Sequence, residues 1–325
     1  MNKRQIGQTH MFVNPVGLGC MGFSHAYGPA EDKETAISMI KKAYDMGYDF
    51  FDTAECYTGE NADGSLSYNE ELLGEALKDV RHDVVIATKF GVNHKGDHLE
   101  FDSSLQTIRK SIEGSLKKLQ TDYIDLYYQH RIDPQVEPEV VAGVMKELIS
   151  EGKIKAWGIS ETDEEYLRRA HAVCPVSAIQ NRYSMMARWH ENLFAVCEEL
   201  KITYVAFSPM ANGILSGKFN PQSQFDDGDF RNSMPQYQEE GYQKVQKLLE
   251  LLNKIADEKN CTMAQLSMAW MICKKDYMIP IPGSRKESRL LENIHAGDVI
   301  LTPVEVQMID DQLDTMDFDV FGGHK

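Results

Sequence analysis

The chain has 325 residues, 42% of them hydrophobic and 26% charged, with a formal net charge of −16. So large an acidic excess is repelled at long range by nucleic-acid phosphates and by anionic membrane surfaces, so neither is an expected partner. The composition supports a sizeable core, and the length fits either two average domains or one large α/β barrel.

The N-terminal run Met1-Asn2-Lys3-Arg4-Gln5 is basic, but no apolar leader follows it and no stretch approaches a membrane span, so a soluble, cytoplasmic protein is expected. Cysteines at 20, 56, 174, 197, 261 and 273 make neither a Cys-x-x-Cys pair nor a zinc-ligand spacing. Reduced thiols and no metal centre are expected.

Gly17, Gly19 and Gly22 form a literal G-x-G-x-x-G. That pattern marks a dinucleotide fold when it joins a strand directly to a helix. Here a Tyr/Gly/Pro loop follows, and the helical spacing of Ala36, Ile37, Ile40 and Ala43 begins only after Pro29. The glycines are read instead as places where the backbone passes close to something.

Strands and helices then alternate. A strand ends near Phe51, a helix covers about 68–79, and a third strand covers 84–87. Asp102 or Ser103 opens a helix whose Leu105, Ile108, Ile112, Leu116 and Leu119 recur every three or four residues. Further strands are expected at 123–128, 154–159, 176–179, 203–207 and 277–281. The helices between them carry Val141, Val144 and Leu148, then a Thr162-x-x-Glu165 capping box, then Leu193, Val196 and Leu200.

About thirty Gly-, Asn-, Asp-, Pro- and Gln-rich residues separate Phe207 from the helix carrying Val245, Leu248, Leu252 and Ile255. So long a connection is usually functional or disordered. Thr262-x-x-Gln265 caps the next helix, Leu290 to Ile294 lie on the last barrel helix, and Thr302-Pro303-Val304-Glu305 opens an extra C-terminal one. Eight short apolar strands alternating with amphipathic helices, with no linker between halves, predict one (β/α)8 TIM barrel domain over 1–325. It carries an additional C-terminal helix and a long loop after strand 7.

In such a barrel the chemistry sits where strands end on the C-terminal face. Asp52 ends the second strand with Tyr57 five residues on, Lys89 ends the third, and His130 follows the fourth. Singly, these read as a turn former, a packed aromatic, a solvated cation and a structural histidine. Together they read as a proton-transfer site. An ammonium lowers the pKa of a neighbouring phenol, Asp52 holds that ammonium, and His130 orients the oxygen the phenol protonates. Carbonyl reduction with a hydride donor suits this set.

Phe51-Asp52-Thr53-Ala54-Glu55-x-Tyr57, Ala87-Thr88-Lys89-Phe90, the run from Ser115 through Asp122 to His130-Arg131, and Ile281-Pro282-Gly283-Ser284-Arg285 resemble motifs of the aldo-keto reductase family along nearly the whole chain. The resemblance implies NADPH across the barrel mouth, with Asp52, Tyr57, Lys89 and His130 as the catalytic set. It also implies that Ser160 and Gln180 bond the nicotinamide amide and Phe207 stacks on the ring. Gly19, Met21, Ser208, Pro209, Met210, Gly213, Leu215 and Lys218 would line the dinucleotide, with Gly283, Ser284, Arg285, Arg289, Glu292 and Asn293 at its adenosine end.

The cations at 285 and 289, at a strand end in an acidic protein, favour NADP over NAD. Substrate choice is expected from Cys56, Arg131 and loops 21–27, 59–67 and 90–98. A small carbonyl compound is the expected partner. Among the alternatives, a cofactor-sensing regulatory subunit of the potassium-channel β type has no partner motif behind it. A metal-dependent barrel enzyme lacks a ligand set, and a short-chain dehydrogenase lacks its Tyr-x-x-x-Lys.

Overall fold

The computed structural model describes residues 2–96 and 98–321. Met1, Asp97 and the end of the tail from 322 lie outside them.

Eight strands build the central sheet: β1 Leu18–Gly19, β2 Phe50–Asp52, β3 Val85–Phe90, β4 Ile124–Gln129, β5 Ile154–Ser160, β6 Ala178–Arg182, β7 Thr203–Phe207 and β8 Met278–Pro280. They pair in parallel in chain order. Backbone bonds from Gly17 N to Pro280 O (3.0 Å) and from Gly19 N to Pro282 O (3.1 Å) join the first strand to the last. The ring is therefore closed, as the strand count predicted.

Alternation along each strand divides the apolar residues between two cores. Phe50, Val85, Ala87, Leu126, Tyr128, Ala156, Ala178, Val205 and Ile279 fill the barrel, while Phe51, Ile86 and Tyr127 face the helix layer. The barrel floor, unforeseen in the sequence, is a hairpin of Arg4–Gln5 with Phe12–Val13, and it contributes Ile6 and Val13 to the interior.

The helices are α1 Lys33–Asp45, α2 Asn69–Leu77, α3 Leu105–Lys118, α4 Pro138–Ser150, α5 Glu164–Val173, α6 Phe194–Leu200, α7 Glu239–Lys259, α8 Met263–Lys274, α9 Glu287–Ile294 and α10 Pro303–Leu313. Capping boxes form at Thr262/Gln265 and Thr302/Glu305 as expected. Two caps differ. The cap of α5 is Asp163, which accepts from Tyr166 N, so the box at Thr162 and Glu165 does not form. The cap of α3 is Ser104, and Asp102 instead accepts from Thr107 Oγ1 and Ser104 N.

Loops that read as irregular are folded. Residues 59–67 belong to a hairpin of Thr58–Glu60 with Leu66–Tyr68, and 92–101 to another. The long connection after β7 contains 3-10 turns at Ala211–Ser216, Phe230–Ser233 and Pro235–Tyr237. The C-terminal tail, as far as Phe321, docks on this connection and on the helix after it: Phe321 N donates to Gln236 Oε1 (3.1 Å), and Asp319 pairs with Lys244 (2.8 Å) of the helix Glu239–Lys259. Among the described residues no helix is long and apolar enough to cross a membrane.

Candidate active site

Parallel pairing with aligned register brings the ends of β2, β3 and β4 together on one rim. Asp52 lies opposite Ala87, and Lys89 lies opposite Tyr128, so residues far apart in sequence become neighbours. Lys89 Nζ donates to Asp52 Oδ1 (2.6 Å), to the Thr53 carbonyl (2.7 Å) and to Tyr57 Oη (3.3 Å). Its side chain is fully buried. His130 stands edge-on to the Tyr57 ring, with centroids 5.7 Å apart at 82°. All four residues expected from the sequence thus meet at one point.

A hub unnoticed in the sequence holds Tyr57 in place. Buried Asn69 accepts from Thr53 Oγ1 (2.7 Å) and donates from its side chain to the Cys20 carbonyl (3.0 Å) and Ser24 Oγ (2.8 Å). The Asn69 backbone N–H and Ser24 Oγ both donate to the Tyr57 carbonyl. A fully bonded buried amide of this kind fixes geometry, because moving it leaves several polar groups unpaired. His25 and His94 lie in the loops 21–27 and 90–98 expected to govern substrate choice, though neither histidine stands out in the sequence. His25 Nδ1 donates to the Thr58 carbonyl (2.9 Å), and its ring packs 5.1 Å from His94 and 6.1 Å from Tyr57.

Burial dominates the electrostatics. It pushes the Tyr57 phenol up to about 12, with Lys89 the largest opposing influence. The sequence argument expected Lys89 to win. Desolvation wins because the phenolate would be buried beside Asp52, which repels it. Burial alone would lower Lys89, but the Asp52 carboxylate and the Tyr57 oxygen more than offset it and keep the ammonium charged. Burial lifts Asp52, against Lys89 and Gln180. His130 is held well below the ordinary histidine range by burial and by the cations Lys89 and Arg131, so its ring is neutral.

Of the residues expected around the nicotinamide, Gln180 Nε2 donates to the second Asp52 oxygen (2.7 Å) and Ser160 Oγ accepts from Arg131 (3.1 Å). Phe207 is partly exposed at the end of β7, with the Arg182 guanidinium 5.0 Å from its ring centroid. Glu161 accepts from the Arg182 backbone N–H (2.8 Å). Met21 lies in a 3-10 turn directly after β1.

Beyond β7, Ser208, Ala211, Asn212 and Gly213 have positive φ, and turn bonds from Ala211 N to Ser208 O and from Gly213 N to Met210 O close the segment around Pro209. Leu215 is wholly buried in the core. Glu292 pairs with both Arg289 (2.6 Å) and Lys218 (3.4 Å), linking the β7 connection to α9, and Asn293 is buried. Ser284 accepts from Lys286 N (3.1 Å), while Gly19 and Gly283 approach so closely that a Cβ on either would meet backbone oxygen at 2.7 Å. Arg285 donates through Nε to the Gly22 carbonyl, and its buried Nη2 has no hydrogen-bond partner. No group of three or more His, Cys, Asp or Glu suited to a metal occurs among the described residues.

Barrel, rim set and loops together define an oxidoreductase-type barrel site, and the comparisons agree. Residues 15–314 match the Aldo/keto reductase family. The chain belongs to that family. It is 36% identical over 308 residues to a probable aldo-keto reductase 1 of Glycine max, across 94% of this chain and 87% of that protein. Among solved structures it is similar to a glycerol dehydrogenase of Gluconobacter oxydans, with 25% identity, a TM-score of 0.85, and 97% of this chain and 96% of that one covered. An aldo-keto reductase of Klebsiella pneumoniae, solved with NADP and acetate, shares the fold at 24% identity and a TM-score of 0.71, over 99% of both chains.

Proposed function

We propose that this protein reduces small aldehydes or ketones to alcohols with NADPH, Tyr57 giving the proton. The observation that carries the reading is the single ammonium, Lys89, bonded at once to Asp52 and to the Tyr57 hydroxyl. When bound, the dinucleotide supplies a hydride. The protein's residues supply the rest.

Tyr57 holds its proton throughout the physiological range, because burial keeps its phenol neutral. A carbonyl oxygen that accepts charge becomes far more basic than a phenolate, so the proton moves from Tyr57 Oη to that oxygen. Lys89 Nζ, 3.3 Å away, stabilises the phenolate left behind. Asp52 keeps Lys89 charged and aimed, and Gln180 holds the other Asp52 oxygen. Neutral His130 serves as a hydrogen-bonding group for the substrate oxygen rather than as an acid.

The residues present fit a phosphate-bearing dinucleotide. The partnerless Nη2 of Arg285 suits a phosphate, and the close backbone approach at Gly19 and Gly283 leaves no side chain in the way. Ser160, Gln180 and Phe207 would hold the nicotinamide end, Lys218 the pyrophosphate, and Arg289 and Glu292 the adenosine end.

NADPH oxidation against a panel of aliphatic and aromatic aldehydes tests the reading. Turnover should appear, and Tyr57→Phe should lower it by about 10²- to 10⁴-fold while NADPH binding, followed by fluorescence quenching, stays unchanged. Full activity in Tyr57→Phe would sink the mechanism.

A further inference from the structure

Cys56 Sγ lies 3.4 Å from His130 Nδ1, a contact between the loop after β2 and the end of β4. We propose that Cys56 is a positioning residue that sets the tautomer of His130: its thiol donates to Nδ1 and so keeps the ring proton on Nε2. The use made of that Nε2–H rests on the reductase reading above. The tautomer is a property of the resting protein.

Direction follows from the chemistry of the pair. Sulfur is a weak acceptor, whereas an unprotonated imidazole nitrogen is a good one, so a thiol beside a neutral ring is the donor. Both groups are in the required states. Burial pushes the Cys56 thiol up to about 12, against Lys89, so it keeps its proton. The groups bearing on His130 are Lys89 from β3, Arg131 next in the chain, His94 from the hairpin after β3 and His25 from the loop after β1, besides Cys56 and the Tyr57 ring. Every charged one is a cation, and burial acts the same way, so the ring carries one proton only. Among the described residues no other group hydrogen-bonds either ring nitrogen.

The consequence is directional. With the proton on Nε2, the nitrogen away from Cys56 donates to a carbonyl oxygen; with the proton on Nδ1, it would present a lone pair and repel that oxygen. A histidine hydrogen bond serves carbonyl reduction only in the first state.

The test uses the full chain labelled with ¹⁵N-histidine. Wild type should show a pyridine-type Nδ1 and a pyrrole-type Nε2 for His130. In Cys56→Ala the two shifts should move toward each other, and in Cys56→Ser, whose hydroxyl donates more strongly, they should return. The kcat for an NADPH-reduced aromatic aldehyde should fall about three- to tenfold in Cys56→Ala, the worth of one hydrogen bond, and recover in Cys56→Ser. The NADPH dissociation constant should not move. A pyrrole-type Nδ1 in wild type, or identical shifts in all three proteins, overturns the assignment. The expected shifts without any aldehyde reduction would uphold the tautomer and overturn the reductase reading instead.

Discussion

The Lys89 ammonium, with none of its side chain exposed, sits 2.6 Å from Asp52 Oδ1, and Asp52 is itself only 4% exposed. A buried ion pair of this kind adds little against an apolar pair of the same shape, but removing one partner strands the other charge. Asp52→Asn should therefore cost about 3–5 kcal/mol of stability, read from the urea midpoint, as well as activity. Replacing both residues, Asp52→Leu with Lys89→Met, should recover much of the stability and none of the activity. A single variant that unfolds at the wild-type midpoint would show that Lys89 is satisfied without Asp52.

The pH dependence follows from two shifts of opposite sign. Tyr57 is raised to about 12, so the phenol needed for reduction persists into alkaline solution, and kcat/KM should fall only as pH climbs toward that value. His130 is depressed well below its ordinary 6.5 and stays neutral through mildly acidic solution. A broad plateau from about pH 6 to pH 10 is expected in NADPH oxidation assays. A bell centred near neutrality would contradict both assignments.

Stability shares these limits. Below about pH 6.5 the unfolded chain takes a proton on His130 that the folded one refuses, so stability drops as pH falls. Above about pH 10 the unfolded chain releases the Tyr57 proton that the folded one retains, so stability drops as pH rises. Thermal melts across this range should show a maximum between the two limbs, and replacing Tyr57 with Phe should weaken the alkaline limb.

What was legible in the sequence is what periodicity and strand ends encode. Asp52, Lys89 and His130 each terminate or follow an apolar run, and a parallel barrel aligns such termini, so their meeting could be foreseen. The Asn69 hub could not, because its bonds to residues 20, 24 and 53 are long-range and leave no pattern near Asn69 itself. The cap of α5 slipped by one residue because Thr162 and Asp163 are both good caps and only backbone geometry chooses between them. The sign of the Tyr57 shift was misjudged because a sequence gives neighbours but not depth of burial.

Arg285 offers a direct test of cofactor choice. Its Nε is held by the Gly22 carbonyl, its Nη2 is buried without a partner, and burial lowers its pKa despite the distant carboxylates of Glu31, Asp229 and Asp226. On the proposed reading, a phosphate of the dinucleotide is the partner this guanidinium takes. Arg285→Gln should weaken NADPH binding about tenfold or more, the worth of a charged hydrogen bond, and weaken NADH binding much less. Fluorescence quenching titrations with both nucleotides measure this. Equal losses for the two would place Arg285 away from the phosphate that distinguishes them.

Gly158, two residues before Ser160, tests how the barrel interior supports the rim. It pairs with Tyr128 on one side and Ala178 on the other. A Cβ there would fall 2.4 Å from Tyr128 Cε1 and 2.5 Å from the Ala178 carbonyl oxygen. The ring belongs to a packed side chain and the oxygen to a neighbouring strand, so neither yields without moving the sheet. Gly158→Ala should cost about 1–3 kcal/mol by overpacking, read from the urea midpoint. Because β5 continues into Ser160 and β6 into Gln180, which holds Asp52, kcat should fall as well. Adding Tyr128→Leu removes the ring clash but leaves the carbonyl one, so rescue should be partial. Complete rescue would mean that only the tyrosine demands glycine at 158, and that the backbone contact with Ala178 relaxes freely.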